Sequence, residues 1–239
     1  MQSFTPRDTV LTTPKLLPRT EKLIDKLKTL SVNDTQKLMK VSPRLATVVV
    51  SMHQQLNSDD ANCAAAITTF QGDVYGHLAA KSWGQEDLVH ANKYLRIISG
   101  LYGSLRPLDG IQPYRLELGY RLHALGARNL YDFWAGDIAS SLPRLRPIVN
   151  LLSDEYFRAI KSYIPGDVIT PRFLTRRSST ERPRAIAIHA KQARGSLARW
   201  LILRRINDPQ RMNEYAELGY HYNHELSDKK HPVFIKQQN

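Results

Sequence analysis

Glycines and arginines are interleaved in residues 95–118, which read LRIISGLYGSLRPLDGIQPYRLEL. Gly100 and Gly103 allow a tight turn or the close approach of another group, because glycine lacks a Cβ. One interpretation is that the glycine amides meet a phosphate that Arg106 and Arg115 flank. The segment is therefore a candidate anion-binding hairpin.

A structural interpretation competes with this one. In it, the same arginines are buried partners for Asp109 and Glu117, and no ligand is needed. The prolines at 107 and 113 bias the residues before them toward extended geometry, which predicts a rigid, irregular loop. We expect that loop to present polar side chains: Arg106, Asp109, Gln112, Tyr114 and Arg115. The sequence leaves both interpretations open.

A second basic segment covers residues 190–200, AKQARGSLARW. On a helix, Lys191, Arg194 and Arg199 fall on one side, and the apolar residues fall on another. Gly195 lies beside this basic stripe, although a glycine within a helix costs about 1 kcal/mol relative to alanine. We interpret it as a position that another backbone or a phosphate approaches closely. The alternative is an ordinary amphipathic helix with a solvated basic face.

Few residues suit acid–base or metal chemistry. Asp73 follows a glycine and is a candidate general base, metal ligand or anchor for an arginine, and the anchor role is favoured. His189 is a further acid or base candidate, with a core histidine as the alternative. His221 and His224 would share one side of a helix, but no carboxylate completes a recognisable metal motif. The sequence therefore predicts no metal site and no cofactor.

The charge favours an anionic partner. The chain of 239 residues holds 34 Lys and Arg against 22 Asp and Glu, a formal charge of +12. Such an excess attracts phosphates, so DNA is the expected partner and a small anionic ligand is the alternative. No apolar run reaches the roughly 18 residues of a membrane span, and we expect no membrane partner. The start lacks the layout of a secretion signal, so the expected location is cytoplasmic. The oligomeric state is left open.

The pattern predicts an α/β or α+β fold. We expect one compact unit over residues 1–239, with a mixed central sheet, surrounding helices and an extended arm at 1–18. Helices are expected at 19–30, from Ser31, from Ser42, at 86–93, 129–141 and 154–160, and after Asp208. Residues 185–189 are predicted either as a strand or as the start of a long helix through 206. Strands are expected at 94–98, 149–152 and 168–174, with two more between 220 and 236. Residues 72–76 are predicted as a turn that exposes a carboxylate, and residues 176–184 as a polar, basic turn.

Seven segments together resemble the bacterial peroxide-stress YaaA family. In chain order they are FQGDVYGHL, LRIISGLYGSLRPLDGIQPYRLELG, LYDFWAGDI, VNLLSDEYF, ITPRFL, AKQARGSLARWLI and ELGYHYNHELSD. The resemblance runs from about residue 12 to the C-terminus. It departs at the start, where MQSFTPRDT replaces the apolar strand and SPAK-like turn of family members. This departure indicates a divergent or N-terminally shortened member.

The resemblance implies a function. Family members are expected to be cytoplasmic, to limit peroxide damage by keeping free iron low, and to bind DNA. It also implies a basic cleft and a helix-hairpin-helix-like element at about residues 95–108. The cleft would draw on Arg96, Arg106, Arg115, Lys191, Arg194 and Arg199.

Two hypotheses follow. The first is a protein that binds DNA without sequence preference, with phosphates held by the basic helix and by the glycine hairpin. The second is an enzyme that acts on a small phosphorylated or nucleotide-like substrate in the same cleft. In the second hypothesis Asp73 or His189 would be the acid or base.

Overall fold

The computed structural model describes residues 10–57, 62–122, 127–143, 147–164, 166–178 and 180–237. Within these residues the chain forms ten α-helices and nine short strands. The helices are α1 (Leu17–Lys28), α2 (Val32–Met39), α3 (Pro43–Gln54), α4 (Ala66–Thr69), α5 (Asp73–Leu78), α6 (Gln85–Tyr94), α7 (Leu130–Trp134), α8 (Asp137–Ser141), α9 (Asp154–Lys161) and α10 (Ala187–Leu203). The strands are β1 (Ala64–Ala65), β2 (Ile97–Ser99), β3 (Gly103–Leu105), β4 (Gly110–Ile111), β5 (Ile148–Val149), β6 (Val168–Ile169), β7 (Arg172–Arg176), β8 (Tyr220–Tyr222) and β9 (Val233–Gln237). Two 3-10 helices cover Ala80–Ser82 and Pro209–Glu214.

The helices α2 and α3 begin at the serine caps that the sequence predicted. The Ser31 hydroxyl accepts a hydrogen bond from the Asp34 amide at 3.1 Å, and the Asp34 carboxylate accepts one from the Ser31 amide at 3.2 Å. This reciprocal pair satisfies two amides that lack partners within the helix. Ser42 caps α3 in a similar way, and Pro43 occupies the first helical position, where a missing N–H costs nothing.

The strands build a mixed α/β fold, but they form several small sheets where the sequence predicted one central sheet. Among the described residues, the largest sheet has three strands in the order β7-β9-β8, with β7 parallel and β8 antiparallel to β9. The pairs β1–β4 and β2–β3 are antiparallel, and the pair β5–β6 is parallel. Most of these strands have two or three residues, which is too short to extend a sheet across the fold.

Two predicted elements are each divided by a backbone interruption. The helix expected at 129–141 is two short helices, because Ala135 adopts φ 34° and ends α7 before Gly136 precedes α8. The strand expected at 168–174 divides at Pro171, which has no N–H for a ladder, into β6 and β7. The turn predicted at 72–76 is also wrong, because Asp73 begins α5. An acidic residue in a first helical turn interacts favourably with the helix dipole.

The chain divides into two compact units. Unit 1 comprises Met1–Phe70, Leu95–Pro143 and Ser153–Ile164. Unit 2 comprises Gln71–Tyr94, Arg144–Leu152 and Pro165–Asn239. The single domain expected over residues 1–239 stays a prediction.

The core of unit 1 lies around the segment 95–118. Leu101, Leu105, Ile111 and Leu118 are fully buried there, together with Trp134 of α7. Residues 95–108 form the β2–β3 hairpin, with Ile97 opposite Leu105. The helix-hairpin-helix-like element predicted for these residues is therefore not confirmed.

The core of unit 2 lies between α10 and the three-stranded sheet. Its centre is aromatic: the rings of Phe173 and Phe234 stack with centroids 5.4 Å apart, and Tyr215 meets Phe234 edge-on at 5.6 Å. Trp200 of α10 packs edge-on against Tyr215 at 6.0 Å. Aromatic pairs at such distances add to the stabilisation that burial alone gives. This core fixes α10, the predicted basic helix, on the sheet.

The predicted N-terminal arm is described only in part. From residue 10 onward it is tied to unit 1, because the Thr12 amide donates to the Leu108 carbonyl at 2.8 Å and the Gly110 amide donates to the Thr12 carbonyl at 2.8 Å. Residues 1–9, where the SPAK-like turn of the family would fall, lie outside the described residues. In the described part of the chain, no helix has the length and apolar composition that a membrane span requires.

Candidate functional site

The predicted site residues belong to both units, and each group is described within its own unit. Unit 1 holds Arg96, Gly100, Gly103, Arg106 and Arg115. Unit 2 holds Asp73, His189, Lys191, Arg194 and Arg199.

Gly100 and Gly103 are buried, and both are approached closely by protein atoms. A Cβ on Gly100 would overlap the carbonyl oxygen of Leu116 and lie 2.9 Å from its carbonyl carbon. Gly103 has φ +70°, and a Cβ there would lie 2.8 Å from Leu16 Cδ1 and 3.0 Å from the Trp134 ring. The indole N–H of Trp134 donates to the Gly100 carbonyl at 2.9 Å. Packing within unit 1 accounts for the need for both glycines.

Arg106 is held by Asp109, as the structural interpretation of this segment proposed. Asp109 is 1% exposed and accepts from the Arg106 amide at 2.7 Å and from its Nε at 2.9 Å. The Thr12 hydroxyl also donates to this carboxylate, at 2.7 Å. The Asp109 carboxylate thus accepts hydrogen bonds from both Arg106 and Thr12 and is the ion-pair partner of the Arg106 guanidinium.

The remaining polar residues of the segment are mostly buried, which corrects the prediction of a loop that presents them. Gln112 and Tyr114 are 5% and 6% exposed. The Gln112 side chain exchanges hydrogen bonds with Asn57, and the Tyr114 hydroxyl lies 2.7 Å from the Ser99 hydroxyl. Each side chain thus satisfies a partner inside unit 1.

Two arginines of unit 1 lie nearer the surface. Arg115 is exposed and lies 3.6 Å from the Glu117 carboxylate, which itself is half exposed. Arg96 is half-buried, and its Nη1 donates to the Leu95 carbonyl at 2.6 Å. Burial, followed by the nearby Arg106 charge, lowers the Arg96 pKa. Among the arginines predicted in unit 1, Arg115 is therefore the one best placed to meet a ligand from solvent.

In unit 2, Gly195 is the point where α10 meets another backbone. A Cβ there would overlap the Val74 carbonyl oxygen, and it would lie 2.9 Å from the Val74 carbonyl carbon and 3.1 Å from the Leu78 nitrogen. The close approach predicted from the sequence is therefore made by α5. Helices can approach this closely only where a residue lacks a side chain.

Arg199 has a carboxylate partner that the sequence did not indicate. Its Nη2 donates to Glu217 Oε2 at 2.7 Å, and the buried Ser196 hydroxyl donates to the same oxygen. Burial is the main cause that raises the pKa of the nearby Tyr215 to about 12, so its phenol stays neutral. Glu217 lies 18 residues after Arg199, and only its place in the segment ELGYHYNHELSD could have indicated a role.

The other α10 candidates differ in exposure. Lys191 is exposed, and Arg194 is half-buried. His189 precedes them, and its Nδ1 lies 3.2 Å from the hydroxyl of the buried Thr175 on β7. This contact gives His189 a structural partner and connects the first turn of α10 to the sheet.

Asp73, His221 and His224 are not part of a metal site among the described residues. Asp73 is half-buried in the first turn of α5, where its carbonyl contacts the His77 ring at 2.9 Å. His221 lies in β8 and His224 in the turn after it, so the shared helical side is wrong. No group of three or more His, Cys, Asp and Glu within the described residues could hold a metal ion.

Unit 2 also has a pocket of about 440 Å³. It is lined by Gln85, Glu86, Val89, His90, Lys93 and Arg205. Arg205 is paired with Asp87 at 2.7 Å, and burial with two nearby cations lowers the His90 pKa. Neither Asp73 nor His189 lines this pocket, so the acid–base candidates are not part of it.

The charge is distributed unequally between the units. Unit 2 contains 18 Lys and Arg against 10 Asp and Glu, a difference of +8. Unit 1 contains 16 against 12, a difference of +4. Two thirds of the net charge therefore belongs to the unit that contains α10.

Comparison with known proteins gives consistent matches along the chain. A family model described as peroxide stress protein YaaA matches residues 1–226. A UPF0246 protein of Salinispora tropica is 43% identical over 229 residues, which cover 95% of this chain and 87% of that protein. A UPF0246 protein of a Marinomonas species is 40% identical over 240 residues, covering 97% and 91%. One from Cupriavidus metallidurans is 37% identical over 241 residues, covering 96% and 92%.

Proposed function

The chain belongs to the peroxide stress protein YaaA family, and on this premise we propose that it binds double-stranded DNA without sequence preference during the response to peroxide. The binding takes place in the cytoplasm and helps to limit damage linked to free intracellular iron. Unit 2 supplies the main DNA contacts.

The concentration of charge in unit 2 is the observation that carries this proposal. A surface with an excess of eight cations attracts the phosphate backbone, and this attraction carries no sequence information. The same unit has an aromatic core that holds α10 against the sheet, so its cations sit on an ordered scaffold. A strongly basic face on a rigid element is the usual footprint of a nucleic-acid-binding protein.

Individual residues contribute unequally in this proposal. Lys191, exposed near the start of α10, and Arg194 in the next turn contact phosphates. Arg199 contributes less, because Glu217 offsets its charge. From unit 1 we retain Arg115 as a phosphate contact, since it is exposed and its ion pair is long and solvated.

A salt titration tests the proposal. The full chain is titrated with a fluorescent duplex of about 30 base pairs in two unrelated sequences, at salt concentrations between 50 and 200 mM. With at least four phosphate contacts the affinity falls at least roughly 100-fold across this range, equally for both sequences. The absence of binding at 50 mM, or binding that salt leaves unchanged, would refute the proposal.

The role in peroxide stress needs a cellular test. A strain that lacks the protein is exposed to hydrogen peroxide, and survival and chelatable iron are measured with and without a plasmid copy. The wild-type copy should restore both values, and a Lys191→Gln/Arg194→Gln copy, confirmed as folded, should restore them less well. If the wild-type and variant copies restore survival and chelatable iron equally, the role in peroxide stress does not depend on DNA binding by these two residues.

A further inference from the structure

We propose that four arginines, Arg176 at the end of β7 and Arg177, Arg182 and Arg184 between β7 and α10, bind the phosphodiester backbone of DNA. We name residues 176–184 the arginine loop, of which all but residue 179 are described. This inference rests on the proposed function and adds a site outside the basic side of α10.

The arginine loop and its flanks hold most of the excess charge of unit 2. Residues 172–191 contain six Lys and Arg and a single carboxylate, Glu181. This stretch alone has a formal net charge of +5, whereas the whole of unit 2 has +8. Five of its six cations are arginines, whose planar guanidinium donates two parallel hydrogen bonds to a phosphate.

The loop is closed at its base by backbone hydrogen bonds. The Thr175 amide donates to the Arg184 carbonyl at 2.8 Å, and the Arg184 amide donates to the Thr175 carbonyl at 3.0 Å. The hydroxyls of Ser178 and Thr180 lie 3.1 Å apart within the loop. A loop with fixed ends loses less conformational freedom on binding than an open chain does.

The loop arginines differ in their partners from three other arginines of unit 2. Among the described residues, none of Arg176, Arg177, Arg182 and Arg184 forms an ion pair. By contrast, the unit's Arg199, Arg205 and Arg211 each pair with a carboxylate at 2.7 to 2.9 Å. Within the described part of the chain, the arginines of the loop thus have no carboxylate within ion-pair distance.

Arg176 supplies an independent observation at the start of the loop. Its Nε is buried and has no hydrogen-bond acceptor among the described residues. A buried donor without an acceptor is unfavourable, and it shows that no protein group of the described residues satisfies this side of the guanidinium. By strand alternation, Arg172 and Arg176 lie on the face of β7 opposite the buried Phe173 and Thr175. On that face Arg172 is exposed, whereas Arg176 is half-buried.

A hydrogen bond also connects the first turn of α10 to the base of the arginine loop. The hydrogen bond between the Thr175 hydroxyl and His189 joins the helix to the base of the loop. Lys191 follows two residues later and is exposed. The loop therefore extends the proposed basic surface of α10 toward β7 within unit 2.

The test compares two triple variants of equal charge change. The loop variant is Arg177→Gln/Arg182→Gln/Arg184→Gln, which alters exposed side chains only. The control variant is Lys22→Gln/Lys37→Gln/Arg44→Gln, at exposed positions in the N-terminal helices of unit 1. Thermal unfolding followed by circular dichroism verifies that both variants fold.

The measured quantity is the slope of the logarithm of DNA affinity against the logarithm of salt concentration. Each lost phosphate contact lowers the magnitude of this slope by about 0.9, so the loop variant should lose up to about 2.7 and bind at least tenfold more weakly at 100 mM. The control variant should change the slope by less than about 0.9.

The outcomes separate the two proposals. If the wild-type chain does not bind duplex DNA, the proposed function fails and the loop site fails with it. If the wild type binds and the loop variant keeps the same slope, the loop site alone is wrong. An equal loss in the loop and control variants also overturns it, because total charge would then explain the effect. Tighter, loop-dependent binding to an RNA strand of the same length would overturn DNA as the partner.

Discussion

The contact between α5 and α10 at Gly195 makes a prediction with a definite sign. Replacing Gly195 with alanine puts a methyl group 2.9 Å from the Val74 carbonyl carbon and 3.1 Å from the Leu78 nitrogen, and it overlaps the Val74 carbonyl oxygen. Carbon atoms pack favourably at about 3.5 to 4.0 Å, and the overlapped oxygen needs the larger movement, so the two helix backbones must separate by roughly 1 Å or more. Neither backbone can rotate away as a side chain can.

The magnitude follows from two opposing terms. An extra methyl group in a packed core costs about 1 to 3 kcal/mol, and backbone atoms on both sides favour the upper end. Alanine returns about 1 kcal/mol through its higher helix propensity. We therefore expect the free energy of unfolding to fall by about 2 kcal/mol. For a chain of this size, that lowers Tm by about 4 to 8 °C.

Gly76 of α5 provides the matched control. A Cβ at Gly76 would meet no atom within 4 Å, and its backbone does not need a positive φ. Gly76→Ala should therefore raise the free energy of unfolding by about 0.4 to 1 kcal/mol. Urea and thermal unfolding of both variants are compared by circular dichroism. If Gly195→Ala stabilises the protein as Gly76→Ala does, the close helix contact is wrong.

Three further predictions concern unit 1. Asp109→Asn should lower the free energy of unfolding by about 3 to 5 kcal/mol, since it leaves the Arg106 charge without its buried partner; urea unfolding measures this, and a loss below 1 kcal/mol would contradict the pair's structural role. Burial lowers the His53 pKa, and its Nδ1 has no partner among the described residues, so the unfolded chain takes up the proton first as pH falls. Stability should thus decrease as pH falls below about 6.5, and a His53→Gln variant should lose this part of the pH dependence in unfolding curves from pH 7.5 to 5. Trp134→Phe removes the hydrogen bond to the buried Gly100 carbonyl and should cost about 1 to 3 kcal/mol in the same assay; no change would mean that water replaces the indole.

The local elements were predictable because their signals lie within four residues. Ser31 and Ser42 each cap a helix through their own hydroxyl, and the sequence indicated both helix starts. The two late strands and α10 were also predicted near their observed positions. Wrong predictions occur where one backbone angle decides the outcome, as at Ala135, whose φ of 34° divides a helix that the apolar pattern runs through.

The candidate site was predictable in composition but not in pairing. The sequence identified a basic helix and a glycine with a close neighbour, yet it could not say that the neighbour is Val74 of α5. It also treated residues 176–184 as a polar, basic turn, because nothing in a single sequence shows which arginines find carboxylates. The Arg106–Asp109 pair was foreseen as an alternative, since its members are three residues apart.

The sequence by itself determined the family, the mixed α/β class, the helix starts and an excess of twelve positive charges. Those properties depend on composition and on neighbours along the chain. The tertiary structure decided that Glu217 offsets Arg199, that Gly100 and Gly103 are buried against protein atoms, and that the arginine loop has no ion pair among the described residues. The reason is physical: the strength of a charge depends on which groups folding brings within about 4 Å of it, and that distance is not a property of the sequence order.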